Sequence, residues 1–140
     1  MKNIYEILDE LEIAGNRKAK MDVIGKNLSK VLTEVLEMAY HPKYEWFFNE
    51  MPQGYKIVDI PTGMGYCQLT TELRKMYMFQ RGNAVAETLS PHKREQLLVE
   101  FLQNLEPREA EVVIGIFNKD LGVRGLDYRF VKEAFPHLLP

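Results

Sequence analysis

The chain has 140 residues, of which 46% are hydrophobic and 27% are charged, a balance typical of one folded globular domain and not of a disordered chain. No apolar run approaches the about 20 residues that span a bilayer, and charged residues interrupt the N-terminal segment where a secretory signal would be apolar, so we expect no membrane partner. The net charge of −2 counts against a nucleic-acid partner, because phosphate contacts usually leave a basic footprint.

Hydrophobic periodicity predicts helices over the first 40 residues. Apolar residues recur at helical spacing from Ile4 to Leu11, and Gly15-Asn16 then interrupts the pattern. A second helix is predicted from Arg17 to about Gly25. An amphipathic stripe from Leu28 to Ala39 predicts a third, which ends at His41-Pro42 because the residue before proline is disfavoured in a helix.

The middle of the chain combines a predicted helix with a long loop. Pro42 is suited to the first position of a helix that would continue to Phe48. Trp46, Phe47 and Phe48 within it could form a base-stacking platform, although helical spacing favours a place in the core. Residues 50–68 carry two clusters of turn residues and are predicted to form a long connection or a brief strand.

The second half of the chain is again helical by its pattern. Ser90-Pro91 has the serine cap and first-turn proline of a helix start, and Asp127 is predicted to cap the last helix. We therefore predict an all-α fold, a single compact domain of helical hairpins spanning residues 1–140 with one long loop at about residues 50–68. The predicted helices of this half are 69–80, 84–89, 91–105, 107–117 and a last one that ends before Pro136.

The sequence lacks the residue patterns of common catalytic and metal sites. His41, His92 and His137 lie far apart and have no zinc-type spacing with the single cysteine, Cys67, which we expect to be a structural thiol. The tetrapeptide Lys119-Asp120-Leu121-Gly122 has the wrong order for the Lys-x-Asp-Gly nucleophile of nucleotidyltransferases. We expect no catalytic residue, no metal and no cofactor.

Three stretches resemble, in order and spacing, the N-terminal DNA-binding domain of ATP-dependent DNA ligases of the T-even-like phage type. They are Gly15 to Lys20 with the helix that follows to Tyr40, Phe79 to Leu89, and Phe117 to Gly125 with the tail to Leu139. Two departures are visible: Arg81 stands where the family usually has threonine, and the loop after Leu121 is about one residue longer. The adenylation and OB domains of those ligases have no counterpart within residues 1–140.

The resemblance implies sequence-independent binding of duplex or nicked DNA through the minor groove and phosphates, in support of nick sealing in the cytoplasm of a phage-infected or bacterial cell. Other implied partners are the ligase catalytic core or a replication protein. Loops that precede helices suit anions because their backbone N–H groups are free, and Asp120 is expected to order its loop by accepting backbone hydrogen bonds. The expected phosphate contacts are Lys18, Lys20, Arg81, Lys119 and Arg124, and the expected loop-shaping or N–H-donating residues are Gly82, Asn83, Gly122 and Gly125.

Two other functions remain open at this point. The first is a helical protein-interaction module that docks a replication or repair partner, which the net negative charge of the chain favours. Glycine turns join helices in any bundle, so the glycine loops alone do not indicate DNA binding. A complete small enzyme is the other alternative, although nucleophile motifs are missing. A salt titration distinguishes the interaction module from a DNA-binding domain, because affinity for DNA falls steeply as the salt concentration rises. Covalent labelling of the protein by ATP would reveal an enzyme.

Overall fold

The fold of residues 2–57 and 68–140, the part of the chain that the computed structural model describes, is all-α. Eight α-helices and one 3₁₀ helix are present in these ranges, and the predicted fold class is confirmed. The elements in chain order are α1 (Ile4–Ile13), α2 (Arg17–Lys26), α3 (Lys30–Tyr40), α4 (Leu69–Glu72), the 3₁₀ helix (Leu73–Phe79), α5 (Ala84–Thr88), α6 (Pro91–Gln103), α7 (Pro107–Phe117) and α8 (Tyr128–Ala134).

Side-chain caps begin several helices, and those at Ser90 and Asp127 are the two that the sequence predicts. The Asn16 side chain accepts from the backbone N–H of Ala19 at 2.8 Å, and Ser90 Oγ accepts from Lys93 N at 3.1 Å. Asp127 caps α8 in the same way, and Pro91 occupies the first turn of α6. Each cap satisfies one backbone donor that the helix itself cannot use, and this anchors the loops that precede these helices.

Helix α7 is the centre of the fold and packs against α1, α3 and α6. The core that surrounds it draws residues from Ile4 to Leu139, so both ends of the chain contribute to it. Side chains with no solvent exposure come from most helices: Leu11, Leu32, Val35, Phe79, Leu98, Leu102, Val113 and Ile116. Because these residues are the apolar stripes of the sequence, the stripes form the core as expected.

The helix predicted from Pro42 to Phe48 is wrong. This segment is irregular, and it pairs with the chain that follows the 3₁₀ helix through an isolated antiparallel bridge between Trp46 and Gln80. Phe47 N donates to Phe79 O at 2.9 Å on the same ladder. The aromatic residues 44, 46 and 48 alternate along the chain, a period of two that fits extended backbone and not a helix.

Trp46 belongs to the core and Phe48 is partly buried against it, so the predicted core role holds although the helix on which it was based is absent. Trp46 is buried and its ring stacks on that of Tyr44 at 5.6 Å between centroids. Phe48 packs edge-on against Phe79 at 6.2 Å. A base-stacking platform would need at least one ring face that is open to solvent. The rings of Trp46 and Phe48 instead contact other aromatic side chains of the protein.

Smaller differences concern helix bounds and the long loop. Leu28 precedes the N-cap of α3 and is 62% exposed, so it does not belong to the buried stripe. The predicted helix 69–80 is a short α4 followed by the 3₁₀ helix. Most of the predicted loop at 50–68 lies outside the described residues, as does Cys67. None of the helices described is both long enough and apolar enough to cross a membrane.

Candidate nucleic-acid interface

Two loops that are distant in sequence meet on one surface. The loop between α1 and α2 and the loop before α8 form the walls of a cleft of about 390 Å³. We refer to it as the arginine cleft because three arginines contribute to its lining. The lining residues are Gly15, Asn16, Arg17, Lys20, Arg124, Gly125, Arg129, Phe130 and Glu133.

The arginine cleft carries an excess of positive charge on exposed side chains. The side chains of Arg17 and Arg129 are 61% and 90% exposed. Both pair with Glu133, the single carboxylate of the lining. Within the described residues, the guanidinium group of Arg124 forms no ion pair, and only its backbone N–H is used, by Glu12 Oε2 at 3.1 Å. An anion that enters this cleft therefore meets guanidinium groups that solvent can reach.

Lys20 lines the cleft but does not offer its charge there, so the structure argues against the predicted phosphate contact. The residue is only 7% exposed. Its ammonium group donates to Leu11 O at 2.9 Å and also to Ala14 O. These carbonyls belong to the C-terminal end of α1, where a helix leaves acceptors without partners. Lys20 thus fastens α2 to α1 beneath the cleft.

Gly125 is required by the backbone and by the position of Lys20. Its φ is +83°, in the left-handed region that glycine tolerates best, and a Cβ built there would lie 3.1 Å from Lys20 Cε. Gly125→Ala should therefore lower the free energy of unfolding by about 1–2 kcal/mol, since a side chain is strained at this φ. Gly15→Ala is the matched control: no atom lies within 4 Å of a built Cβ at Gly15. Equal urea midpoints for the two variants would contradict the assignment.

The loop from Asp120 to Leu126 is held by internal hydrogen bonds. Tyr40 Oη donates to Leu126 O at 3.1 Å and accepts from Leu121 N at 3.2 Å, so one buried hydroxyl bridges the loop. Burial raises the pKa of Tyr40 to about 12. Asp120 Oδ1 accepts from Gly122 N at 2.8 Å, which confirms the predicted role of Asp120 as an acceptor that orders the loop.

Lys119 is likewise occupied inside the fold, and the structure argues against the predicted phosphate contact. Its ammonium group donates to three backbone carbonyls, those of Met38 at 3.2 Å, His41 at 2.6 Å and Tyr44 at 3.0 Å. Burial lowers the pKa of Lys119. The residue has a φ of 60°, which is uncommon for a residue other than glycine. Lys119 closes the end of α3 and does not reach outward.

The loop of Arg81, Gly82 and Asn83 is not part of the arginine cleft. Asn83 caps α5 by accepting from Val85 N at 2.9 Å. Gly82 has a φ of +84°, and its N–H donates to Glu87 Oε1 at 2.8 Å. Gly82 and Gly122, with φ of +84° and +77°, shape their loops as one of the two predicted roles has it, but their N–H groups donate to carboxylates of the chain itself and are not free for phosphate.

Arg81 itself stays exposed and lies against an aromatic ring. Its Nε donates to Trp46 O at 3.1 Å, and its guanidinium carbon is 4.7 Å from the Phe47 ring centroid. Arg94, which is buried, stacks on the same ring at 3.6 Å. Arg94 also donates to Ala86 O and Leu89 O at 3.0 Å, so Arg81 is the cation that this loop leaves exposed.

A protein-family model matches residues 7–123. The chain belongs to this family, a family of unknown function (DUF6433). The match includes the α1–α2 loop, the Arg81 loop and Lys119, whereas Arg124, Gly125 and α8 follow its last residue. No curated protein matches the chain in a sequence comparison.

Sequence reasoning missed three charged members of the DUF6433 protein's cleft: Arg17, Arg129 and Glu133. Arg17 was visible in the basic tract after Gly15, and the spacing of Arg129 and Glu133 is the i, i+4 spacing of a helical ion pair. Lys18, which was predicted, lies exposed on the first turn of α2. In the ranges that the structure describes, no group of histidine, cysteine or carboxylate side chains could hold a metal ion.

Proposed function

We propose that this DUF6433 protein binds duplex or nicked DNA without sequence preference, through phosphates beside the minor groove, in support of an ATP-dependent DNA ligase. The observation that carries the proposal is the arginine cleft. In a chain of net charge −2, its lining includes Arg17, Arg124 and Arg129 and a single carboxylate, that of Glu133. Arginines outnumber carboxylates in the lining of the cleft by three to one, so the overall charge does not oppose a local phosphate site.

Guanidinium groups suit a phosphodiester better than other cations do. Arginine presents a planar set of N–H donors that can contact two phosphate oxygens at once. The cleft's arginines are exposed enough to meet a DNA backbone, and Gly125 lets the chain approach closely where a side chain would intervene. Contacts of this kind hold the sugar-phosphate backbone and read no base, which fits sequence-independent binding.

The resemblance to ligase DNA-binding domains supports the same surface. Its first and third stretches, Gly15 to Lys20 and Phe117 to Gly125, supply most of the cleft although they are about a hundred residues apart in sequence. We propose Arg17, Arg124 and Arg129 as the main phosphate contacts, with Lys18 next to Arg17 on α2 and Arg81 as a further contact on a separate loop. Lys20 and Lys119 position these loops from within. The protein would act in the cytoplasm of a phage-infected or bacterial cell, beside a ligase catalytic core or a replication protein, and would have no catalytic activity of its own.

The test is a double variant, Arg17→Ala with Arg124→Ala. The parent should bind nicked duplex weakly, with a dissociation constant of roughly micromolar or above, as non-specific contacts do. The double variant should bind at least about tenfold more weakly at low salt. The slope of log affinity against log salt should flatten by about 0.9 for each phosphate that the variant no longer neutralises.

The matched control is Arg74→Ala, which removes an exposed arginine that lines a different cleft, beside Trp46 and Tyr77. It should leave the affinity close to that of the parent. Circular dichroism verifies that each variant is folded, because exposed side chains of this kind alter stability by about 0.5 kcal/mol or less. If the double variant and the parent gave the same affinities and slopes, the cleft would not be the DNA surface.

A second function is favoured by one apolar groove. Met51, Tyr55, Ile57, Pro107 and Ile114 line a groove of about 450 Å³ together with Glu111, and Ile57 is 80% exposed. A groove lined by several apolar side chains, at least one of them exposed, is a candidate protein-docking site. A helical protein-interaction module is therefore the alternative proposal, and binding that scarcely changes with salt, with no affinity for DNA, would support it.

A further inference from the structure

We infer that Glu133 occupies, in the DNA-free protein, the place in the arginine cleft that a DNA phosphate takes, and that it thereby limits DNA affinity. This inference rests on the proposed DNA-binding function. It adds an internal competitor to the site and predicts that removing one negative charge at one position strengthens binding more than removing it elsewhere.

Glu133 connects two separate elements at the mouth of the cleft. It lies in the last turn of α8, where its Oε2 pairs with Arg17 Nη2 at the start of α2. Its Oε1 is 4.0 Å from Nε of Arg129, one turn earlier on α8. One carboxylate thus forms ion pairs with guanidinium groups on both walls of the cleft, as a bridging phosphate would.

Carboxylate and phosphodiester groups compete for the same donors. Each presents two oxygen acceptors that a guanidinium fork can bind side by side. Because both are negative, they repel each other and cannot share the space between Arg17 and Arg129 at low cost. A phosphate that binds there has to break the pairs that Glu133 makes.

The internal pair is weak enough for DNA to replace it. The side chains of Glu133 and Arg17 are 39% and 61% exposed, and ion pairs in contact with solvent contribute little to stability. Glu133 therefore holds the arginines in place when DNA is absent, and DNA must overcome the cost of that arrangement when it binds.

The test uses Glu133→Gln, which keeps the size of the side chain and removes its charge. The variant should bind nicked duplex about fivefold more tightly than the parent at low salt, the factor expected for release from one exposed ion pair. The slope against salt should also steepen, by up to about 0.9 in the logarithmic plot. Glu100→Gln, at an exposed acid on α6, removes the same charge and is the matched control.

A mutant cycle separates competition in the cleft from a general effect of charge. In a background of Arg17→Ala with Arg129→Ala, Glu133→Gln should raise the affinity for DNA no more than Glu100→Gln does. The guanidinium groups for which Glu133 and a phosphate compete are absent from this background. Glu133→Ala is the second variant, and thermal unfolding verifies that both variants are folded.

The results distinguish this inference from the proposed function. If the parent binds DNA in a way that depends on Arg124 but Glu133→Gln gives no more gain than the control, the inference is overturned and the DNA function stands. An equal gain in the arginine-deficient background would overturn it as well. If neither the parent nor Glu133→Gln binds DNA at low salt, the proposed function is itself wrong.

Discussion

Lys119→Met should lower the free energy of unfolding by about 2–4 kcal/mol, the largest effect expected of any substitution at a predicted site residue. The ammonium group of Lys119 donates to the carbonyls of Met38, His41 and Tyr44. Methionine keeps the length of the side chain but donates no hydrogen bond, so all three carbonyls lose the ammonium donor and His41 O keeps only the N–H of Tyr44. Urea unfolding of the two proteins measures the difference.

The design of this substitution isolates the three hydrogen bonds. The φ of 60° at residue 119 disfavours methionine and lysine alike, so backbone strain largely cancels in the comparison. Lys18→Met is the control because Lys18 is exposed on α2, and it should change stability by about 0.5 kcal/mol or less. If Lys119→Met were as stable as this control, the ammonium group would not be holding the end of α3.

Raising the pH from about 10 to about 12 should remove about 2–3 kcal/mol of stability through Tyr40 alone. Burial raises the pKa of this phenol to about 12 in the folded protein, above its ordinary value of 10.0. The folded state therefore retains a proton that the unfolded state has already released. The stabilisation is complete below pH 10 and disappears as the pH rises through the folded pKa.

Tyr40→Phe is the variant that assigns this effect to one residue. Burial also raises the pKa values of Tyr5, Tyr44 and Tyr55. The titration of these three tyrosines therefore lowers the stability of the parent in the same pH range. Lys119 shifts in the opposite direction, and its contribution to stability rises with pH. Only the difference between parent and variant isolates Tyr40, and that difference should shrink as the pH rises.

At neutral pH the same variant should be less stable than the parent by about 1–3 kcal/mol, because Leu121 N and Leu126 O lose their shared partner. Unfolding by urea at pH 8 and at several values up to about pH 12 measures both effects. A constant difference between the two proteins across that range would show that the phenol does not titrate with a raised pKa.

The amino-acid sequence by itself determined where most helices begin and end. Ser90-Pro91 and Asp127 start α6 and α8 as predicted, because capping is a local interaction between a side chain and the next few backbone donors. The apolar stripes of α1, α3 and α7 became the core for a similar reason, since helical periodicity is readable within a dozen residues. The segment from Pro42 to Phe48 is the exception, because its backbone partners lie beyond residue 78.

Only the tertiary structure decided which cations remain available at the surface. Lys20 and Lys119 resemble Arg17 and Arg124 in sequence, as charged residues in or beside loops. Their ammonium groups donate hydrogen bonds to carbonyls at the ends of α1 and α3. The carbonyl of His41 is nearly eighty residues from Lys119 in the sequence. Whether a long side chain turns inward depends on acceptors that other elements bring within reach of it, and no local pattern contains that information. The convergence of Arg17, Arg129 and Glu133 on one cleft likewise depends on the tertiary fold, in which α2 packs against α1 and α8 packs against α3.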